Sequence, residues 1–160
     1  MIRIAGLLFF TALIATGQTK DPAFSHMLNQ KLAHSVVEVD VADLRLDEYY
    51  FLDCRERAEY EVSHIPDAIF IGSNPSKEAL QQLPSDKPWV FYCSVGVRSE
   101  KVAESAQEQD IISYNLVGGI FEWVNRGRPI EDAAGIATKK VHPYNRVWGV
   151  WLKAGTKSFE

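Results

Sequence analysis

Cys93 stands where an apolar stretch of the chain gives way to a short loop. Residues 89–92 (Trp-Val-Phe-Tyr) are bulky and apolar, as in a strand covered on both faces, and apolar residues follow at helical spacing after Ser99. The cysteine is therefore predicted to lie at the carboxyl end of a strand, where open α/β sheets bind their ligands. A thiol in this position is a candidate catalytic nucleophile.

The residues after Cys93 suit a cysteine that reacts as a thiolate. The loop has no proline, so every residue keeps its backbone N–H, and Gly96 allows the chain to curl tightly. Such a ring of amides ahead of a helix forms an anion-binding nest, to which Arg98 adds a positive charge. The pattern predicts a nucleophilic sulfur within an active-site loop made of Ser94, Val95, Gly96, Val97, Arg98 and Ser99.

Three side chains of this loop have two interpretations each. Arg98 either contacts the substrate or forms a structural ion pair. The hydroxyls of Ser94 and Ser99 either hydrogen-bond the cysteine sulfur or cap the following helix. Glu100 is expected to point away from the thiolate.

Short apolar stretches alternate with helical patterns, which predicts a parallel sheet with helices on both faces. The predicted strands are residues 36–39, 49–53, 69–71, 89–92 and 112–116. The predicted helices are residues 21–34, 56–60, 77–83, 99–109 and 120–124.

Composition narrows the class of protein. A chain of 160 residues with 46% hydrophobic content suits one domain with a substantial core. The net charge of −4 argues against nucleic acid as a partner. Two cysteines are too few for a disulfide framework, and the four histidines are scattered, so no metal site is predicted.

Residues 1–17 are typical of a signal peptide. Arg3 precedes an apolar segment that is shorter than the roughly 20 residues of a membrane span, and small residues favour cleavage before Gln18. An uncleaved N-terminal anchor is the alternative. Cleavage predicts an exported protein, periplasmic in a bacterium with an outer membrane, that has no stable membrane insertion.

Two extensions flank the predicted sheet. Residues 18–35 form an N-terminal helical extension, and residues 132–160 form a basic, aromatic C-terminal extension. The favoured interpretation is that Trp148 and Trp151 pack on the domain. The alternative is that the C-terminal extension docks a protein partner or a membrane surface.

Three blocks of the chain together resemble the rhodanese family. They are residues 52–68 (with Asp-Cys-Arg-Glu and His-Ile-Pro-Asp-Ala), 93–99 and 118–130 (with Gly-Gly-Ile-Phe-Glu-Trp and Gly-Arg-Pro-Ile). The resemblance covers residues 36–131. It implies a three-layer α/β/α fold with a five-stranded parallel sheet in the order 1-5-4-2-3.

The same resemblance implies a sulfurtransferase. Cys93 would take a sulfane sulfur from thiosulfate or a persulfide, hold it as a persulfide against the loop amides, and pass it to a thiol or to cyanide. No metal or organic cofactor is implied. Asp53 and Arg55 would support the loop or each other, and Glu59 and His64 would be structural.

Other functions remain open from the sequence. Cysteine phosphatases and arsenate reductases have a similar loop, but they place five residues between cysteine and arginine, whereas four separate Cys93 from Arg98. A sulfur carrier or partner-docking module with little turnover is a second alternative. Cys54 is either a packed side chain or a disulfide partner of Cys93, provided that their Cα atoms lie within about 7 Å.

Overall fold

The computed structural model describes residues 18–109 and 111–160, so the predicted signal peptide lies outside the described residues. The helices are α1 Pro22–Asn29, α2 Arg57–Val62, α3 Lys77–Gln81, α4 Val97–Gln107 and α5 Gly119–Asn125. The strands are β1 Glu38–Val39, β2 Tyr50–Asp53, β3 Ile69–Phe70, β4 Trp89–Tyr92, β5 Ser113–Leu116, β6 Ile130–Glu131, β7 Ala137–Thr138, β8 Lys140–Val141 and β9 Thr156–Lys157. Short 3-10 helices span Val41–Asp43 and Trp148–Trp151.

A five-stranded parallel sheet has the order β1-β5-β4-β2-β3, which confirms the predicted fold. Successive side chains of β4 alternate between two hydrophobic clusters, because neighbouring residues of a strand face opposite sides of a sheet. Val90 packs with Phe121 of α5 in one cluster, and Phe91 packs with Val102 of α4 in the other. Helices thus cover both faces of the sheet, and β4 is buried along its whole length.

Helix boundaries differ from the predicted ones at two places that matter for the site. Helix α1 ends at Asn29 rather than at residue 34. Helix α4 begins at Val97, two residues earlier than predicted, because Gly96 adopts a left-handed φ of +107° and serves as its N-cap. The earlier start places Arg98 in the first turn of α4.

The two extensions contact each other beside α5. The ring of Phe24 in α1 stacks on Trp151 with centroids 5.2 Å apart. Asn125, at the end of α5, donates to the carbonyl of Trp151 and accepts the amides of Lys153 and Ala154. The C-terminal extension is therefore held on the domain by side-chain stacking and by main-chain hydrogen bonds.

Across the described ranges, no helix has both the length and the apolar character required to span a bilayer.

Candidate active site

Cys93 directly follows β4 and lies under a tightly curled loop. Its side chain is only 1% exposed, and its Sγ accepts the N–H of Gly96 at 3.2 Å. The curl depends on glycine for two reasons. Gly96 has a left-handed φ, which other residues rarely adopt, and an added Cβ would lie 3.1 Å from the carbonyl oxygen of Leu116.

Neighbouring elements fix the direction of the loop peptides. The carbonyls of Cys93 and Ser94 accept the amides of Ile120 and Phe121 at the start of α5, at 2.9 and 3.1 Å. The Gly96 carbonyl accepts Nδ2 of Asn115 at 3.0 Å. Because N–H and C=O of a trans peptide point in opposite directions, the following amides (Ser94, Val95 and Val97) are turned away from these contacts. Within the described residues these three amides donate no hydrogen bond.

Helix α5 approaches the loop closely at Gly119. This residue has a φ of +53°, and an added Cβ would lie 2.3 Å from the carbonyl oxygen of Cys93. A side chain at this position would therefore push the loop off α5. Asn115 contributes to the same support, since its Oδ1 lies 2.7 Å from the hydroxyl of Ser99. That hydroxyl is thus engaged with β5 and with the loop carbonyl of Gly96, 3.2 Å away.

Arg98 forms a bidentate ion pair with Glu59 of α2. Its two terminal nitrogens donate to the two carboxylate oxygens, each at 2.8 Å, and the hydroxyl of Ser94 donates to Glu59 at 2.9 Å. Burial opposes ionisation of Glu59, but the hydrogen bonds and charge of Arg98 outweigh it and lower the pKa of this carboxyl. Glu59, which was expected to be structural, therefore holds Arg98 beside Cys93.

The charge on Arg98 is also coupled to Cys93. Burial opposes the guanidinium charge, but the hydrogen bonds of Glu59 and the electrostatic influence of Cys93 raise the pKa of Arg98. Arg98 thus lies close enough to stabilise a thiolate, while Glu59 holds it in place. Ser94 belongs to the same network, because its Oγ also accepts from Arg98 at 3.0 Å.

Asp53 and Arg55 form a second, fully buried pair at the end of β2. The guanidinium of Arg55 donates to Asp53 at 2.7 Å and to the Ser63 carbonyl at 2.6 Å. The pair therefore braces the turn after α2. His64 is part of that turn: its main chain pairs with Glu131, and its Nδ1 lies 3.0 Å from the Tyr60 carbonyl.

Glu100 is buried, but it belongs to a different contact. Its carboxylate accepts the amides of Ala33 and Ser35 at 2.9 and 3.3 Å. It therefore anchors the segment between α1 and β1.

Cys54 is the neighbour of Cys93 across the sheet. The register pairs Asp53 with Tyr92, and the Cys54 amide donates to the Tyr92 carbonyl at 2.9 Å. Both thiols are free. Burial raises the pKa of Cys54 well above its usual value, and the negative charge of Cys93 adds to that effect. Cys54 is accordingly a poor nucleophile.

A cavity of about 210 Å³ opens beside Cys93. Five of the residues that line it belong to the loop and to the first turn of α4. The other two, Tyr144 and Trp148, come from the C-terminal extension, and the Arg98 guanidinium lies 4.6 Å from the centre of the Tyr144 ring. The lining residues are Cys93, Ser94, Val95, Val97, Arg98, Tyr144 and Trp148.

Tyr144 and Trp148 are not recognisable as site residues from the sequence. Some fifty residues separate them from Cys93, and no local motif marks their position. The available signal was the cluster of aromatic residues in the C-terminal extension.

The described residues form no metal site. Among residues 18–109 and 111–160, no three His, Cys, Asp or Glu side chains lie close enough together to hold an ion.

Comparison with known proteins agrees with this architecture. A family model described as a rhodanese-like domain matches residues 38–126. "Putative sulfurtransferase YtwF" of Bacillus subtilis is 34% identical over 83 residues, which cover 52% of this chain and 81% of that protein. "Thiosulfate sulfurtransferase GlpE" of Coxiella burnetii is 32% identical over 82 residues, which cover 51% of this chain and 76% of that protein.

One further relative has a different name. The tRNA uridine(34) hydroxylase of Sodalis glossinidius is 36% identical over 85 residues, but the match covers 49% of this chain and only 24% of that larger protein.

A solved structure also resembles part of the chain. The crystal structure of a rhodanese-related protein from Thermoplasma volcanium matches with a TM-score of 0.56 and 28% identity, covering 59% of this chain and 96% of that one. The sulfurtransferase names among the relatives support a sulfurtransferase-like role. Since the family model covers more than half of the chain, including β4 and the whole Cys93 loop, the protein belongs to the family of rhodanese-like domains.

Proposed function

We propose that the protein is a sulfurtransferase that carries sulfane sulfur as a persulfide on Cys93. The observation that supports this most directly is the curl of the loop around Sγ. The Gly96 amide already donates to the sulfur at 3.2 Å, and three further amides of the loop have no acceptor within the described residues. Unpaired N–H groups beside a nucleophile are suited to stabilise an added, negatively charged sulfur.

The proposed reaction has two steps. In the first, the Cys93 thiolate attacks the outer sulfur of the donor, the donor S–S bond breaks, and its electron pair leaves with sulfite or with a thiolate. In the second, an acceptor thiolate or cyanide attacks the outer sulfur of the Cys93 persulfide, and the Cys93 thiolate leaves. No net oxidation takes place, and the protein returns to its starting state.

Each part of the site has a role in this scheme. Arg98, held by Glu59, keeps a positive charge near the thiolate. The start of α5 fixes the loop carbonyls, so the loop amides keep their orientation and need no rearrangement during the reaction. The scheme uses a small-molecule sulfur donor and acceptor and requires no metal or organic cofactor.

Loop length and cavity lining both argue against a phosphatase or an arsenate reductase. Four residues between Cys93 and Arg98 make a smaller ring than the five-residue loop of those enzymes. Among the described residues that line the cavity, none is an aspartate or a glutamate that would protonate a leaving group.

Export and partner docking stay predictions. Export depends on residues 1–17, which lie outside the described residues. A protein partner would find exposed apolar side chains on the C-terminal extension, where Val147 is 75% exposed and Val150 is 51% exposed.

The test is sulfur uptake and delivery by matched cysteine variants. We expect the wild type to gain the mass of one sulfur atom on exposure to a donor and to pass it to cyanide. Cys93→Ser should lose both properties. Cys54→Ala should keep both, because Cys54, unlike Cys93, does not line the cavity. Full turnover by Cys93→Ser would refute the proposal.

A further inference from the structure

The catalytic cavity has two sides of different origin. One side is the Cys93 loop, inside the family match. The other side is made by Tyr144 and Trp148, here called the aromatic wall, which lie beyond the end of that match at residue 126. This chain therefore adds its own surface to a family site.

The aromatic wall is held in a defined place. Tyr144 has a φ of +62°. Residues other than glycine rarely adopt this backbone conformation, so surrounding contacts must maintain it. Its amide donates to Nδ1 of His142 at 3.1 Å. The side chain of Asn145 accepts the amide of Trp148 at 3.0 Å, and the Gly149 amide donates to the Asn145 carbonyl. These contacts shape the segment as a fixed turn.

Close packing also holds this turn against the rest of the domain. A Cβ on Gly149 would lie 3.0 Å from Cβ of Pro143, which is buried. Trp151, one turn further on, stacks on Phe24 of α1. The wall is thus anchored to the domain on both sides of Tyr144 and Trp148.

The cavity offers little free positive charge. Among the described residues that line it, Arg98 is the one cation, and its guanidinium is already paired with both oxygens of Glu59. The face of the Tyr144 ring covers the same guanidinium at 4.6 Å. Thiosulfate is a small dianion, and it would find no unpaired cation here.

Apart from Ser94, the rest of the lining is apolar or aromatic. Val95 and Val97 extend the surface formed by Tyr144 and Trp148. With a volume of about 210 Å³, the cavity has room for more than the transferred sulfur atom. Removal of apolar surface from water favours an organic group in this space.

We propose that Tyr144 and Trp148 determine donor specificity, favouring donors whose sulfane sulfur is attached to an apolar organic group over thiosulfate. The donor class is an organic persulfide, R–S–SH. The Cys93 thiolate takes its outer sulfur, the S–S bond breaks, and R–S⁻ leaves with the bonding electron pair while the proton stays on the new persulfide. This inference rests on the proposed function, since it concerns the donor of that reaction.

Thiosulfonates are stable probes for this preference. Thiosulfate, methanethiosulfonate and benzenethiosulfonate all deliver an outer sulfur by breaking a bond to a sulfonyl sulfur. They differ in the attached group, which is an oxyanion, a methyl or a phenyl. Their intrinsic reactivities also differ, so the informative quantity is how the ratio of kcat/KM values changes between wild type and variants, with cyanide as acceptor.

We expect Trp148→Ala to lower the benzenethiosulfonate-to-thiosulfate ratio about tenfold, the low end of what an apolar pocket contributes to discrimination. Tyr144→Asn should lower it as well. Asparagine tolerates the left-handed backbone and Tyr144 is 41% exposed, so this variant should keep the fold even if Trp148→Ala does not. Val147→Ala, on the same segment but outside the lining, should leave the ratio unchanged.

The outcomes separate the two proposals. If wild type gains sulfur on Cys93 but the ratio is the same in Tyr144→Asn, in Trp148→Ala and in the Val147→Ala control, the aromatic wall does not select the donor. If wild type gains no sulfur from any of the three donors, the proposed function itself fails, and this inference fails with it.

Discussion

The two sides of the cavity are built by different kinds of interaction. The loop side is fixed by hydrogen bonds and charge: α5 holds the carbonyls, Asn115 holds Gly96, and Glu59 holds Arg98. The wall side is fixed by aromatic packing and a strained turn around Tyr144. We propose that the loop side binds and transfers the sulfur, whereas the wall side favours donors with an apolar group. Changes to each side should therefore have separable effects.

Gly119→Ala should have the largest effect, because it breaks the loop side. The new Cβ would meet the Cys93 carbonyl, which adds overpacking of about 1–3 kcal/mol to about 1–3 kcal/mol for the left-handed backbone. We expect the free energy of unfolding to fall by roughly 2–6 kcal/mol and sulfur uptake to be lost. Denaturant unfolding and intact mass measure the two effects.

Gly127→Ala is the matched control. Gly127 has a similar φ of +75°, but nothing lies within 4 Å of the added Cβ. It should show the backbone cost alone and keep sulfur uptake. If both variants behave alike, the close contact between α5 and the loop has no special role.

Glu59→Gln should change the charge on the loop side while keeping a side chain of similar size. The variant releases the Arg98 guanidinium, while the glutamine still accepts from Ser94. The kcat/KM for thiosulfate relative to benzenethiosulfonate should rise about fivefold, since a partly exposed charge contact is worth roughly 1 kcal/mol. Glu61→Gln, an exposed position on the same helix, should have no such effect. A fall in relative thiosulfate activity would show that Arg98 needs Glu59 to bind the donor.

Glu59 also predicts a pH dependence of stability. Its pKa is below the usual 4.5 in the folded protein, so its contribution is complete above pH 4.5 and is lost as the pH falls through the lower, folded value. The difference in unfolding free energy between wild type and Glu59→Gln should therefore shrink in acid. A constant difference across this range would exclude Glu59 as the titrating group.

His142 should have the smallest effect, on the wall side. Burial lowers its pKa below the usual 6.5, with opposing influence from Glu59 and further lowering by Arg55 and Arg98. The neutral ring is thus favoured in the folded protein, and its contribution is complete above pH 6.5 and is lost as the pH falls through the folded value. Protonation removes the acceptor for the Tyr144 amide, so the preference for benzenethiosulfonate should weaken modestly in acid.

His142→Asn provides the control for this effect. An asparagine side chain accepts the amide two residues ahead without titrating, so the donor preference should become independent of pH. A pH profile that matches that of wild type would assign the titration to another group.

The loop side was more predictable from the sequence than the wall side. The strand order and the position of Cys93 were predicted correctly, because short-range patterns and three spaced blocks encode the sheet. The exact start of α4 was not, since it depends on the left-handed backbone of Gly96.

Long-range contacts explain the rest. Glu59 reads locally as a helix-capping residue, and it does accept the Glu56 amide at 3.0 Å. Its pairing with Arg98 arises only when β2 and β4 lie side by side. Tyr144 and Trp148 reach Cys93 because α1 and α5 hold the C-terminal extension in place, and such a path has no local signature.

Locating the added sulfur within the chain shows whether Cys93 carries it. After exposure to a donor, the persulfide is blocked with iodoacetamide and the protein is cut with trypsin. Cys54 then lies in peptide 46–55 and Cys93 in peptide 78–98, because Pro88 protects the bond after Lys87. We expect the extra sulfur in peptide 78–98, whereas extra sulfur in peptide 46–55, or in neither peptide, would contradict persulfide formation on Cys93.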